Sequence, residues 1–246
     1  MWLAFSFLTT LPVPRRWQTA PLPGDLGRAA LYFPLVGLVL GALLAAGDWL
    51  AGRTFPELLS GALVVALWAA LTGGLHLDGL ADCGDGLPAA ATPERRLEIM
   101  RDPRLGTFGG LSLILFVLLK VLAVAGLGSA GLGRAAPLLI APLAGRWLLL
   151  LMARQPNARP GGLGADFALG LQPRALWAVG AATLLVALLG GWRGLLGLAL
   201  AHGEAWLVWQ AARARLGGVT GDVLGLTVEL SELVVLLAFS GGGSLS

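Results

Sequence analysis

Apolar residues run in long blocks along this chain, and polar residues gather between them. Seven blocks approach the roughly 20 helical residues that a bilayer core of about 30 Å requires. They predict helices over 30–50, 58–77, 108–127, 135–153, 175–190, 195–212 and 223–240. Each block is apolar all round, so helical periodicity singles out no face. The fifth and sixth are short, at 16 and 18 residues, and are the weakest of the seven. Residues 2–12 are apolar but too short to span. They lack a basic stretch before them and a small-residue cleavage site after them, which points to an interfacial or re-entrant helix rather than a signal peptide. The expected fold is an all-α polytopic transmembrane helical bundle of about seven spans. It forms one integral-membrane domain over 1–246, with an interfacial cytoplasmic segment at 1–28 and a flexible tail at 241–246.

Composition supports this. Apolar residues make up 57% of the chain and charged residues 13%, against about 25% charged in ordinary soluble domains. Mean hydropathy is +0.80. Too few charges exist to coat a soluble domain of this size. The single Cys83 excludes an internal disulfide. All basic residues except Lys120 are arginine, and none form a run interleaved with aromatics. The basic balance therefore gives no case for nucleic-acid binding.

The charges also set an orientation. One side of the expected spans holds Arg15, Arg16, Arg28, Arg95, Arg96, Arg101, Arg104, Arg154, Arg159, Arg174, Arg213 and Arg215. The other holds only Arg53, Arg134 and Arg193, while Lys120 and Arg146 fall inside spans. This places the N-terminus in the cytoplasm and, with seven spans, the C-terminus outside. The long loops fall on the arginine-rich side as well.

Four polar motifs stand out. In the stretch from Gly73 to Gly86, Asp78, Asp82 and Asp85 recur at i, i+4 and i+7. On a helix they lie within about 60° of one another. Like charges at this spacing repel, and a divalent cation such as Mg²⁺ would relieve them. A solvated helix end carrying incidental acids is the plainer alternative. The second motif runs from Arg95 to Gly110. Arg101, Asp102 and Arg104 precede the helix start at Gly106 and Thr107, and a helix N-terminus beside arginines suits a phosphate. An ordinary basic loop with an N-cap would look the same. The third motif, Arg154 to Gly164, is a Pro/Gly-rich turn containing Arg159 and Gly161. The fourth, Gly217 to Asp222, includes Thr220 and opens the last helix. Farther along that helix, Glu229 and Glu232 share a stripe with Asp222, and Glu232 lies about 15 Å deep. Arg146, His202 and Glu204 are also intramembrane. Such groups are costly and mark either function or mutual pairing. A proton or ion path through Arg146, Glu204, Glu229 and Glu232 would make the chain a transporter, although no internal repeat is visible.

Together these motifs resemble the cobalamin synthase, or adenosylcobinamide-GDP ribazoletransferase, family. The resemblance is carried by residues 7–14 (FLTTLPVP), 32–37 (YFPLVG), 76–86, 95–109, 158–164 (ARPGGLG) and 217–222 (GGVTGD). Thr10, Cys83, Gly84, Arg101 and Pro103 depart from residues common in that family. The resemblance implies an Mg²⁺-dependent enzyme of the cytoplasmic (inner) membrane, with its active site facing the cytoplasm. Its substrates would be adenosylcobinamide-GDP and α-ribazole or α-ribazole 5′-phosphate, with release of GMP. On this reading Asp78, Asp82, Asp85 and Asp222 hold the metal. His76 is the candidate base, with Asp85 and Asp222 as rivals. Arg101, Asp102, Arg104, Gly106, Thr107, Arg146, Arg154, Arg159, Gly161 and Thr220 are the candidate substrate contacts. The lipid bilayer is an expected partner, and self-association or assembly with other enzymes of the pathway is left open. The spaced acids also resemble those of CDP-alcohol phosphotransferases, an analogy of mechanism.

Overall fold

The computed structural model describes residues 1–14, 22–128, 132–159, 163–171 and 173–240. Twelve α-helices and no strands occur among the described residues. Four helices are long and apolar enough to cross a membrane: α3 (Phe33–Ala51), α7 (Thr107–Ala125), α8 (Leu132–Met152) and α12 (Gly221–Ser240). A fifth arises if α4 (Glu57–Thr72) and α5 (Leu75–Gly86) count as one broken span. The expected fifth and sixth spans are α10 (Pro173–Leu188) and α11 (Gly191–Leu216). The 16 residues of α10 reach about 24 Å, short of a full bilayer core. By contrast, α11 is 26 residues long but carries Arg193, His202, Glu204, Arg213 and Arg215.

The second expected span is corrected. It does not run straight to residue 77, because α4 stops at Thr72 and α5 leaves at 95°. Gly73 and Gly74 sit between them with φ of +63° and +70°, a left-handed backbone that favours glycine. The N-terminal segment braces this corner. Its short helix α1 (Trp2–Leu8) buries Ala4 and Leu8. The Thr10 amide then donates to the Leu71 carbonyl, and its hydroxyl to the Ala70 carbonyl.

At the centre, α8 packs against α3 and α12, and α12 also packs against α11 and α5. Gly41 of α3 meets α8 so closely that a Cβ would lie 2.6 Å from the Leu138 carbonyl oxygen. Small residues let membrane helices approach in this way. The same device joins α5 to α12. A Cβ on Gly79 would lie 2.7 Å from the Asp222 carbonyl oxygen, and one on Gly225 3.1 Å from that of His76.

The loops collect at two ends of the bundle. At one end the Ala158 amide donates to the Val219 carbonyl, Arg215 to the Leu87 carbonyl, and Arg159 to the Leu97 carbonyl. At the other, Arg134 clasps the Asp48 carboxylate and the Leu127 carbonyl. Between the ends lies a buried ionic core. Lys120 of α7 bonds Glu229 at 2.7 Å and Glu232 at 2.6 Å, and Arg146 of α8 pairs with Glu232. Trp68 covers the ammonium at 4.0 Å from its ring centroid. Two cations thus face two carboxylates, as burial of charge demands.

Candidate active site

All three acids of the first motif lie on α5, as their spacing predicts. Their environments differ. Asp78 is exposed, whereas Asp82 and Asp85 are half-buried. Asp85 spans the α5–α7 interface and accepts from the amides of Gly106 and Gly109, both at 2.8 Å. It therefore caps the N-terminus of α7 and neutralises two of the N–H groups that a helix start leaves open. Gly106 and Gly109 leave room for that carboxylate, which a Cβ at either position would strike.

Asp82 has no such partner among the described residues. Its helix α5, turned away from α4, lies outside the four long apolar helices. Burial, together with the negative charges of Asp78, Asp222 and Asp85, pushes the Asp82 carboxyl up to about 6. The charge of Arg159 offsets this in part. Among the described residues, no three His, Cys, Asp or Glu groups form a ready metal cage.

Asp222 opens α12 and reaches this face through the close α5–α12 contact. The Thr220 hydroxyl donates to its carboxylate at 3.1 Å, and the Arg159 guanidinium stands 3.4 Å away. Asp222 and Asp78 line one cavity of about 130 Å³. His76, Phe7, Leu149, Phe167 and Leu224 line it too. His76 is 3% exposed, and neither ring nitrogen has a hydrogen-bond partner. Phe7 and Phe167 come from α1 and α9 (Leu163–Gly170) and both pack on Phe33, at centroid distances of 5.8 and 6.0 Å. Sequence reasoning named Phe7 only as the start of the 7–14 motif and missed Leu149, Phe167 and Leu224, because one phenylalanine or leucine among many carries no mark.

The arginines divide into free and engaged. Arg101 and Arg154 are exposed and make no ion pair among the described residues. Arg104 pairs with Asp102 through two contacts, at 2.9 and 2.5 Å, and these hydrogen bonds hold the Asp102 carboxyl well below the usual range. Gly161, like Arg15, Arg16 and the expected tail at 241–246, lies outside the described residues. Arg146 does not line the cavity; it sits fully buried against Glu232. The other intramembrane groups are engaged as well. Glu204 accepts from the Ser231 hydroxyl, and His202 accepts from the Trp147 indole.

With this geometry in place, the comparisons decide the family. The cobalamin-5-phosphate synthase description matches residues 1–240. The chain belongs to the cobalamin-5-phosphate synthase family. It is 44% identical over 98% of both chains to an adenosylcobinamide-GDP ribazoletransferase of Pseudomonas putida strain F1. A protein of the same name from Pseudomonas aeruginosa strain UCBPP-PA14 is 46% identical, covering 97% of this chain and 96% of its own. Another, from Roseiflexus sp. strain RS-1, is 41% identical over 95% of this chain and 86% of its own. No solved structure matches the chain.

Proposed function

We propose that this chain transfers the adenosylcobinamide phosphate moiety of adenosylcobinamide-GDP to α-ribazole or its 5′-phosphate, releasing GMP. The observation that carries this is the end-to-end match to relatives of that name, whose span covers the residues of every motif on the carboxylate face. In the reaction a ribose hydroxyl of the acceptor attacks the phosphorus bonded to cobinamide. A P–O bond forms, the P–O bond to GMP breaks, and the hydroxyl proton leaves. Such transfers depend mainly on positioning and charge neutralisation.

The residues suit a diphosphate accompanied by Mg²⁺. Mg²⁺ commonly takes one or two carboxylates and completes its shell with water and phosphate oxygens, so a full protein cage is not required. Asp78 and Asp82 would hold it, and the repulsion around Asp82, which Arg159 offsets only in part, supports this assignment. The cation, when bound, would supply neutralisation of the diphosphate charge. Exposed Arg101 and Arg154 would bind the phosphates by bidentate hydrogen bonds. Asp222 takes the hydroxyl proton at the cavity mouth, oriented by Thr220 and Arg159. Asp85 is occupied by α7 and serves to hold the Gly106–Gly109 turn.

We further read seven crossings, by α3, α4, α7, α8, α10, α11 and α12, with the N-terminus in the cytoplasm. The twelve-to-three arginine asymmetry supports this, as does the sorting of loops to two ends. The carboxylate face then looks into the cytoplasm from the inner membrane. Membranes containing the chain should convert the two substrates to GMP and a cobamide when Mg²⁺ is present. If such membranes release no GMP above membranes lacking the chain, the proposal is wrong.

A further inference from the structure

We infer that the cavity around His76 seats the aromatic base of the acceptor, a fused two-ring nitrogen heterocycle whose single unsubstituted ring nitrogen accepts a hydrogen bond from the imidazole. This rests on the transferase reading above. Exposure separates a floor from a rim. His76, Leu149, Phe167 and Leu224 are 3%, 3%, 1% and 5% exposed, whereas Asp78 is exposed and Asp222 half-buried. The floor is thus apolar apart from one imidazole. Phe7 and Phe167 add ring faces and edges of the kind that pack on a flat aromatic.

Size and polarity choose among the parts of the two substrates. A corrin macrocycle is far too large for about 130 Å³. Guanine carries several donors and acceptors on its edges, and this floor would leave most of them unpaired at a substantial cost. A benzimidazole joined to ribose through one nitrogen keeps a single ring lone pair. A neutral imidazole has one N–H to give, and the His76 ring nitrogens have no protein partner. With its base on the floor, the nucleoside directs its ribose to the rim, where Asp78 and Asp222 stand. That is where the attacking hydroxyl has to be.

The test uses detergent-solubilised full-length protein and two isosteric probes, 1-methylbenzimidazole and 1-methylindole. They differ only in that ring nitrogen. The wild type should bind 1-methylbenzimidazole about tenfold more tightly, as loss of one buried hydrogen bond implies. That probe should raise the apparent KM for α-ribazole and leave the KM for adenosylcobinamide-GDP unchanged. In His76→Phe, which keeps a ring in place, the tenfold difference should vanish. Leu149→Phe, which fills the floor, should weaken both probes alike and gives an independent reading if His76→Phe does not fold. Equal binding of the probes to the wild type, a preference that survives His76→Phe, or competition with the guanine nucleotide would each overturn the assignment. So would unchanged probe binding in Leu149→Phe. GMP release is a separate readout. Normal release without probe discrimination rejects only the cavity assignment, whereas probe discrimination without release rejects the transferase reading.

Discussion

The four acids expected to act together are chemically unequal. Asp85 is spent on two amides of α7, whereas Asp82 is held near like charges that Arg159 offsets only in part. Spacing alone places both on one stripe and cannot tell an N-cap from a cation ligand, because the deciding partners lie 21 and 24 residues away. The two should therefore respond differently to change. Asp82→Asn should lower GMP release by about a hundredfold or more while leaving folded yield and thermal midpoint near wild type, since it relieves repulsion. Asp85→Ala should cost about 1–2 kcal/mol of stability through the lost cap, read by thermal unfolding in detergent. The Asp82 carboxyl also predicts a pH effect. Raised to about 6, it is neutral below that value and charged above it. Without added cation, its stabilising contribution is present below about pH 4 and is lost as pH rises through 6. The Mg²⁺ binding proposed for Asp82 needs the charged form, so on that proposal the Mg²⁺ concentration for half-maximal activity should rise steeply below pH 6.

At the scale of elements, hydropathy located a helix within each of the seven apolar blocks but ran the second past its end at Thr72, and the α5 stripe followed from spacing. The corner at Gly73 and Gly74 was not legible. Leu75 and Leu77 extend the apolar block past it, so the pattern continued where the backbone turns by 95°. The approach of α5 to α12 was hidden too, because a glycine's use in packing depends on which helix faces it. Both are open to test. Gly74→Ala requires a side chain at φ +70° and should cost about 1–2 kcal/mol, measured by thermal unfolding. Gly79→Ala sets a Cβ against the Asp222 carbonyl. It should part α5 from α12, cut GMP release at least tenfold, and lower the thermal midpoint at least as much as Gly74→Ala.

For the whole molecule, the scarcity of charge makes its distribution informative. The charges form a loop-end site and a buried core in which Lys120, Arg146, Glu229 and Glu232 balance. The sequence offered these intramembrane groups as either an ion path or mutual partners, and the structure finds them paired. Lys120→Met would leave Glu229 with no ion-pair partner among the described residues and should destabilise the bundle by about 3–5 kcal/mol. Pairing it with Glu229→Gln should recover part of that loss, as thermal unfolding of the single and double variants would show. A reporter fused after Ser246 should read external; a cytoplasmic signal would contradict seven crossings. The most direct measurement for the whole account is GMP release by the purified chain in lipid vesicles, given adenosylcobinamide-GDP, α-ribazole and a titration of Mg²⁺. The account predicts GMP and cobamide in equal amounts, requiring both substrates and abolished by chelation. Absence of GMP with both substrates and Mg²⁺ present, or GMP formed without the acceptor at the same rate, would contradict it.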